Sequence, residues 1–225
     1  MSGQSDVPDG FEHYILKYDD NSSFPFAAIE YVYYRMALDA GIYMMPSELR
    51  SYGDVTHFLT RRFDRKGNER VHTQTLAAMS PGSDSYEDLF AVIRRLNLPY
   101  DDSRQQYLRM VFNVMTRNVD DHNKNFSFCM TPDGVWRLSP AYDLIYSVDL
   151  SAPAYLNRHA MTINGKREDI TRKDLEIVAQ QNDIQDYKFL IASVRHAIGN
   201  FKQYAKELAV EQQLIDAIEA DFVRL

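Results

Sequence analysis

The stretch Asn118-Val119-Asp120-Asp121-His122-Asn123-Lys124-Asn125 constrains this chain more than any other. From Asp120 to Asn125 every residue is polar or ionisable, and apolar segments lie on both sides. Asp143 stands eighteen residues after Asn125, in Pro140-Ala141-Tyr142-Asp143-Leu144. One Asp, an Asn five residues on and a second Asp beyond a short strand pair is a spacing that suits phosphoryl transfer, as in a kinase catalytic loop and its metal-binding Asp. One carboxylate orients the attacking hydroxyl and takes its proton, while an amide oxygen and a second carboxylate hold magnesium against the phosphates. Such a loop must be held at both ends by packed elements, which demands a mixed fold with a cleft.

The 225 residues suffice for one domain or for two small lobes around a cleft. A hydrophobic content of 45% with 12% aromatics fits a packed core and argues against disorder or fibres. The net charge of -7 argues against broad nucleic-acid binding, which favours a basic surface, although a local basic patch stays open. Cys129 is the single cysteine, so no intrachain disulfide can form; this fits a reducing cytoplasm. No apolar run approaches a membrane span, and Met1 to Phe11 is polar, without a signal-peptide core.

Met1 to Gly10 reads as a loose start and Asp19 to Ser23 as a turn. Between them, Phe11 to Tyr18 is predicted as a strand. Phe24 to Ala40 carries a helical pattern that ends at Gly41, a C-cap residue. Met44 to Ser51 and Thr56 to Phe63 are predicted strands around Tyr52-Gly53-Asp54. After Asp64 to Asn68 the pattern turns helical. Helices are predicted over Ser85 to Leu96 and over Asp102 to Arg117, the latter capped by Asp102 or Ser103. Phe126 to Met130 and Val135 to Leu138 form a hairpin around Pro132-Asp133-Gly134. Helices follow at Thr171 to Gln181, with Thr171 as cap, Tyr187 to Leu208 and Val210 to Val223. The predicted fold class is α+β, with a small sheet-rich lobe over residues 1–65 and a larger, mainly helical lobe over 66–225.

Each site residue has a plainer role to weigh. Asp120 could merely end a helix, Asn125 could be a turn residue and Asp143 a helix N-cap. The dense polar loop and the joint placement of Asn125 and Asp143 around one hairpin favour the chemical reading. Magnesium keeps several waters, so one amide, one carboxylate and the phosphates suffice. Cys129 reads as a small hydrophobe rather than a nucleophile.

Thr116 to Phe128, together with Trp136 to Leu144, resembles the HipA family of bacterial serine/threonine kinases, whose best-known members are toxins of toxin–antitoxin pairs. The resemblance extends over roughly residues 11 to 205. Tyr14-Ile15-Leu16-Lys17 is similar to the family's lysine strand, Ala28 to Tyr31 to the start of its first helix, Phe58 to Arg65 to its hinge, and Asn164-Gly165-Lys166 also suits it. The resemblance implies a two-lobed protein-kinase-like fold that uses ATP and Mg2+. It makes Asp120 the catalytic carboxylate, with His122 beside the phosphates. Asn125 and Asp143 become the metal ligands. Lys17 meets the nucleotide phosphates, and Glu30 is a candidate partner for it. Backbone groups of Arg61 and Phe63 bond the adenine edge, Asp64 reaches the ribose, and Tyr142 lines the nucleotide site.

The chain departs from the family pattern upstream of Lys17. Only sixteen residues precede it, with Gly3 and Gly10 the only glycines, and none forms the phosphate-cradling turn the family carries. The expectation is therefore a fragment or short form of a longer protein that acts weakly, or one that works with a second chain supplying the missing small subdomain. Transfer of the ATP γ-phosphoryl group to a protein hydroxyl is the expected activity. The rival expectations are a catalytically impaired, kinase-like binding module and a small-molecule kinase of similar fold. The expected partners are a protein substrate and an antitoxin, with no direct nucleic-acid contact and no membrane.

Overall fold

The computed structural model describes residues 6–8, 10–19, 24–149, 151–153 and 156–225. The turn expected at Asp19 to Ser23 and the loose start at Met1 to Gly10 fall largely outside these residues. The first lobe is built from β1 (Tyr14–Lys17), α1 (Phe26–Asp39), β2 (Ser47–Tyr52) and β3 (Val55–Arg61). The three strands form one antiparallel sheet in the order β1-β3-β2. Tyr52 pairs with Val55 across a two-residue loop, where Gly53 adopts φ +62° at the first position.

Helix α1 packs against β3 and β2 and also against the helices of the second lobe. Ile29, Val32, Tyr33, Met36 and Ala37 are buried at helical spacing, so one stripe serves both contacts. Gly41 ends α1 at φ +87° in a Schellman turn. Its N–H donates to Leu38 O at 2.9 Å, and the Ile42 N–H donates to Ala37 O at 2.9 Å.

Beyond the connector lie the short strands β4 (Arg65–Lys66), β5 (Glu69–Arg70) and β6 (His72–Thr75), where the sequence pattern suggested helix. Strand β6 pairs with β7 (Ser127–Met130), which pairs with β8 (Trp136–Leu138). The sequence of β6, His-Thr-Gln-Thr, carries no apolar alternation, and its strand state comes from pairing with a partner over 50 residues away. The intervening helices are α2 (Leu76–Met79), α3 (Tyr86–Arg95) and α4 (Tyr100–Thr116). Ser85 caps α3, accepting from Asp88 N at 3.0 Å.

Two helix boundaries differ from expectation. Pro99, not Asp102 or Ser103, precedes α4, so Asp102 sits within the first turn. Its buried carboxylate accepts from Arg137 at 2.9 and 3.0 Å and from Leu138 N at 3.1 Å, pinning β8 to α4. The helix expected over Tyr187 to Leu208 is two, α6 (Tyr187–Ile198) and α7 (Phe201–Glu207). The break falls at Gly199-Asn200, both weak helix formers, where the bonds tighten to i→i−3. Helix α5 (Arg172–Gln181) starts in a capping box between Thr171 and Asp174, and α8 (Gln212–Asp221) closes the chain. One continuous core runs from α1 through α3 and α4 to α6 and α8. No helix among the described residues is long and apolar enough to cross a membrane.

Candidate active site

A cleft of about 290 Å³ opens between the two lobes. Ile15, Met44, Met45, Phe58, Phe63 and Ala141 give it apolar walls, and Lys17, Glu30, Asp64 and Asp143 add charge. This is the lower end of the size range of small-molecule sites, and the mixture suits a ligand with one flat apolar part and one anionic part.

Strand alternation sends Ile15 and Lys17 to the same side, and both line the cleft. Lys17 Nζ lies 2.5 Å from Glu30 Oε1 on α1 and is also ion-paired with Asp143. Burial pushes the Glu30 carboxyl up to about 7, against the opposing pull of Lys17. Burial opposes the charged form of Lys17, yet the facing Glu30 and Asp143 carboxylates outweigh it and raise the ammonium above its ordinary value.

Asp143 adopts φ +59°, a left-handed conformation that a non-glycine residue holds only when its surroundings fix it. Ala141 N donates to Tyr43 O at 2.8 Å, Arg109 donates to Ser139 O at 2.6 Å, and Asn118 Nδ2 donates to Asp143 O at 3.3 Å. Tyr142 donates to Lys124 O at 2.8 Å and lies 2.5 Å from Ser127 Oγ. Its ring stacks on Phe63 at 5.6 Å between centroids.

The loop after α4 begins with Arg117 in the left-handed region. Asn125 donates from Nδ2 to Asp120 O at 2.9 Å, leaving its amide oxygen for another partner. Asn125 and Asp143 line one small cavity together. The Asp120 carboxylate is 68% exposed, and His122 Nε2 lies 3.9 Å from it. Ser147 Oγ accepts from Val119 N at 2.8 Å and Asp120 N at 3.0 Å and donates to Asn118 Oδ1 at 3.3 Å. Asn118 and Ser147 thus tie the Asp120 loop to the Asp143 segment. The sequence reading gave neither residue a role, and the Asn at 118 inside the polar run was the one available signal.

At the hinge the geometry qualifies the expectations. Arg61 N–H donates to Pro46 O at 3.0 Å, so only the Arg61 carbonyl is open, since Pro46 has no N–H to return the bond. Asp64 is gripped by Arg62 at 2.7 and 2.6 Å and by Arg65 at 2.8 Å. Burial works against its charge, but the two guanidinium groups hold its carboxyl below the usual range. A ribose hydroxyl would have to share this carboxylate with both.

The donor set fits magnesium held jointly with phosphates. Among the described residues no group of three or more His, Cys, Asp or Glu forms a self-sufficient metal site. Asn125 and Asp143 would offer one amide oxygen and one carboxylate, a set that leaves the remaining positions to phosphate and water.

Comparison with known proteins bears on the family and the fold. The family described as HipA-like C-terminal domain matches residues 2–223. A protein named "Putative kinase Y4mE" from Sinorhizobium fredii is 27% identical over 158 residues, 63% of this chain and 37% of that protein. The serine/threonine-protein kinase toxin HipA of Shewanella oneidensis is 38% identical over 66 residues, 29% of this chain and 15% of the toxin. Among solved structures, the complex of Shewanella oneidensis HipA, HipB and operator DNA matches with a TM-score of 0.67 at 21% identity, covering 92% of this chain and 55% of that one. The Helicobacter pylori proinflammatory kinase CtkA matches with a TM-score of 0.59 at 14% identity, covering 94% of this chain and 88% of that one. The two-lobed kinase-like fold is therefore shared, and the chain spans about half the length of the HipA structure.

Proposed function

The chain belongs to the family of HipA-like C-terminal domains, and we propose that it is a serine/threonine kinase core that transfers the ATP γ-phosphoryl group to a protein hydroxyl. The observation that carries this reading is the Lys17–Asp143 ion pair across the cleft, beside the loop of Asp120 and Asn125. Bound Mg-ATP supplies the transferable group and the cation that neutralises its charge. Asp120 orients the acceptor hydroxyl and takes its proton, and its exposure leaves room for a protein substrate. Asn125 and Asp143 hold Mg2+, Lys17 holds phosphate, and His122 supports the loop. The stacked Phe63 and Tyr142 form one apolar wall against the base, the Arg61 carbonyl and the Phe63 backbone meet its edge, and Asp64 meets the ribose. In this reading residues 1–65 and 66–225 are the two lobes of a cytoplasmic protein.

An antitoxin or a chain carrying a complementary small subdomain is the partner we propose. Net charge gives no ground for excluding nucleic acid, because a single total says nothing of local patches. The HipA chain of similar fold stands in a complex with HipB and operator DNA.

The test is radiolabelled phosphate transfer from Mg-ATP to a protein acceptor by the wild type and Asp120→Asn. Transfer lost at least a thousandfold in the variant, with Mg-ATP binding kept, is the expected result. Binding without transfer in the wild type would favour the binding-module reading, and transfer to a small molecule alone would favour the third. Equal transfer by both forms would remove Asp120 from the chemistry.

A further inference from the structure

Asp121 is completely buried beside the exposed Asp120, and the proposed function gives it no role. Its two oxygens are crowded with donors. Oδ2 accepts from Tyr86 Oη at 2.8 Å and lies 2.9 Å from His159 Nδ1. Oδ1 accepts from Ala160 N at 2.8 Å and Met161 N at 3.4 Å. Ala160 N also reaches Val119 O at 2.9 Å, so the 159–161 segment lies directly against the loop.

That segment is one arm of a small hairpin. His159 N donates to Arg167 O at 2.9 Å, and Ile163 and Lys166 exchange bonds at 2.8 and 3.0 Å. Asn164 and Gly165 form its turn, both at positive φ, the pattern of a tight two-residue connection. Arg167 then braces the arm from the side, donating to the carbonyls of His159 and Ala160. His159 itself is 2% exposed.

We propose that Asp121 and His159 form a positioning clamp that sets the direction of Asp120. Anchoring Asp121 inward leaves the adjacent Asp120 facing outward, where its side chain is 68% exposed. Ser147 holds the other side through Val119 N and Asp120 N. Among the described contacts the Asp120 carboxylate meets only His122 Nε2, at 3.9 Å, so its aim depends chiefly on this backbone. A carboxylate misplaced by about 1 Å costs on the order of a hundredfold in rate. The inference rests on Asp120 being the catalytic base.

The experiment compares the wild type with His159→Ala, His159→Asn and Asp121→Asn. It reads kcat, the Mg-ATP dissociation constant and amide hydrogen exchange along the loop. His159→Asn keeps an N–H donor near the Nδ1 position, whereas His159→Ala removes it. The expected result for His159→Ala is a kcat lower by about tenfold or more and exchange at 119–121 and 160 faster by a similar factor. The dissociation constant changes by a smaller factor than kcat, because Lys17, Phe63 and Asp64 stand on other elements while only Asn125 is bonded to the loop at Asp120 O, and α4 exchange is unchanged. His159→Asn recovers most of both, and Asp121→Asn is the most severe. Loop exchange unchanged in His159→Ala, a uniform rise through the core, or no recovery in His159→Asn overturns the clamp. A wild type that transfers no phosphate sinks the proposed function instead, and the exchange comparison then decides the clamp alone.

Discussion

Lys17 of β1 is ion-paired with Asp143, a residue 126 positions later and in the other lobe. The same ammonium meets Glu30 of α1, so one cation joins a sheet, a helix and the loop after β8. This contact closes the cleft on the side where the charged groups gather.

Replacing Lys17 with Met should weaken Mg-ATP binding by at least about tenfold, because the cation facing the phosphates is lost. It also leaves Glu30, 8% exposed, without its partner. Lys17 is itself 36% exposed, so the stability loss should be modest, about 1–2 kcal/mol. Urea denaturation and a nucleotide titration measure the two effects, and unchanged binding would detach Lys17 from the nucleotide.

The Glu30 carboxyl sets a pH window. Burial raises it from its ordinary 4.5 to about 7. Between those values the folded state binds more protons than the unfolded state, so this group's contribution to stability falls as pH rises from 4.5 to about 7. The fall is about 3 kcal/mol at most. Denaturation curves across this window should show a steeper decline for the wild type than for Glu30→Gln. Parallel curves would mean that Glu30 does not titrate there.

Phe63 and Tyr142 stack at 5.6 Å where the base is proposed to sit. Phe63→Ala should weaken Mg-ATP about tenfold while leaving inorganic tripolyphosphate binding within about twofold, because stacking serves only the base. Equal weakening of both ligands would point to a collapsed cleft.

Gly41 holds φ +87° at the end of α1. An added Cβ would meet only Leu108 Cδ2, at 4.0 Å, so the cost of Gly41→Ala is backbone strain rather than a clash. A loss of about 1–2 kcal/mol is expected by chemical denaturation, with nucleotide binding retained. A neutral substitution would show that the Schellman turn relaxes freely.

The sequence by itself determined the elements whose signals are local. Gly41 ended α1, Thr171 capped α5, and the turn at Pro132-Asp133-Gly134 joined β7 to β8. The spacing of Asp120, Asn125 and Asp143 marked a candidate site and the family resemblance added Lys17; the structure sets Lys17 against Asp143 and lines one cavity with Asn125 and Asp143. Tertiary structure alone decided what holds them. Strand β6 exists because β7 lies beside it. Asp102 is an anchor for Arg137 rather than a cap, and Asp121 is buried under His159 and Tyr86. Each of these carboxylates looks like any other polar residue in a linear reading. Whether a carboxylate caps a helix, faces solvent or collects buried donors depends on partners more than thirty residues away, and only packing brings those together.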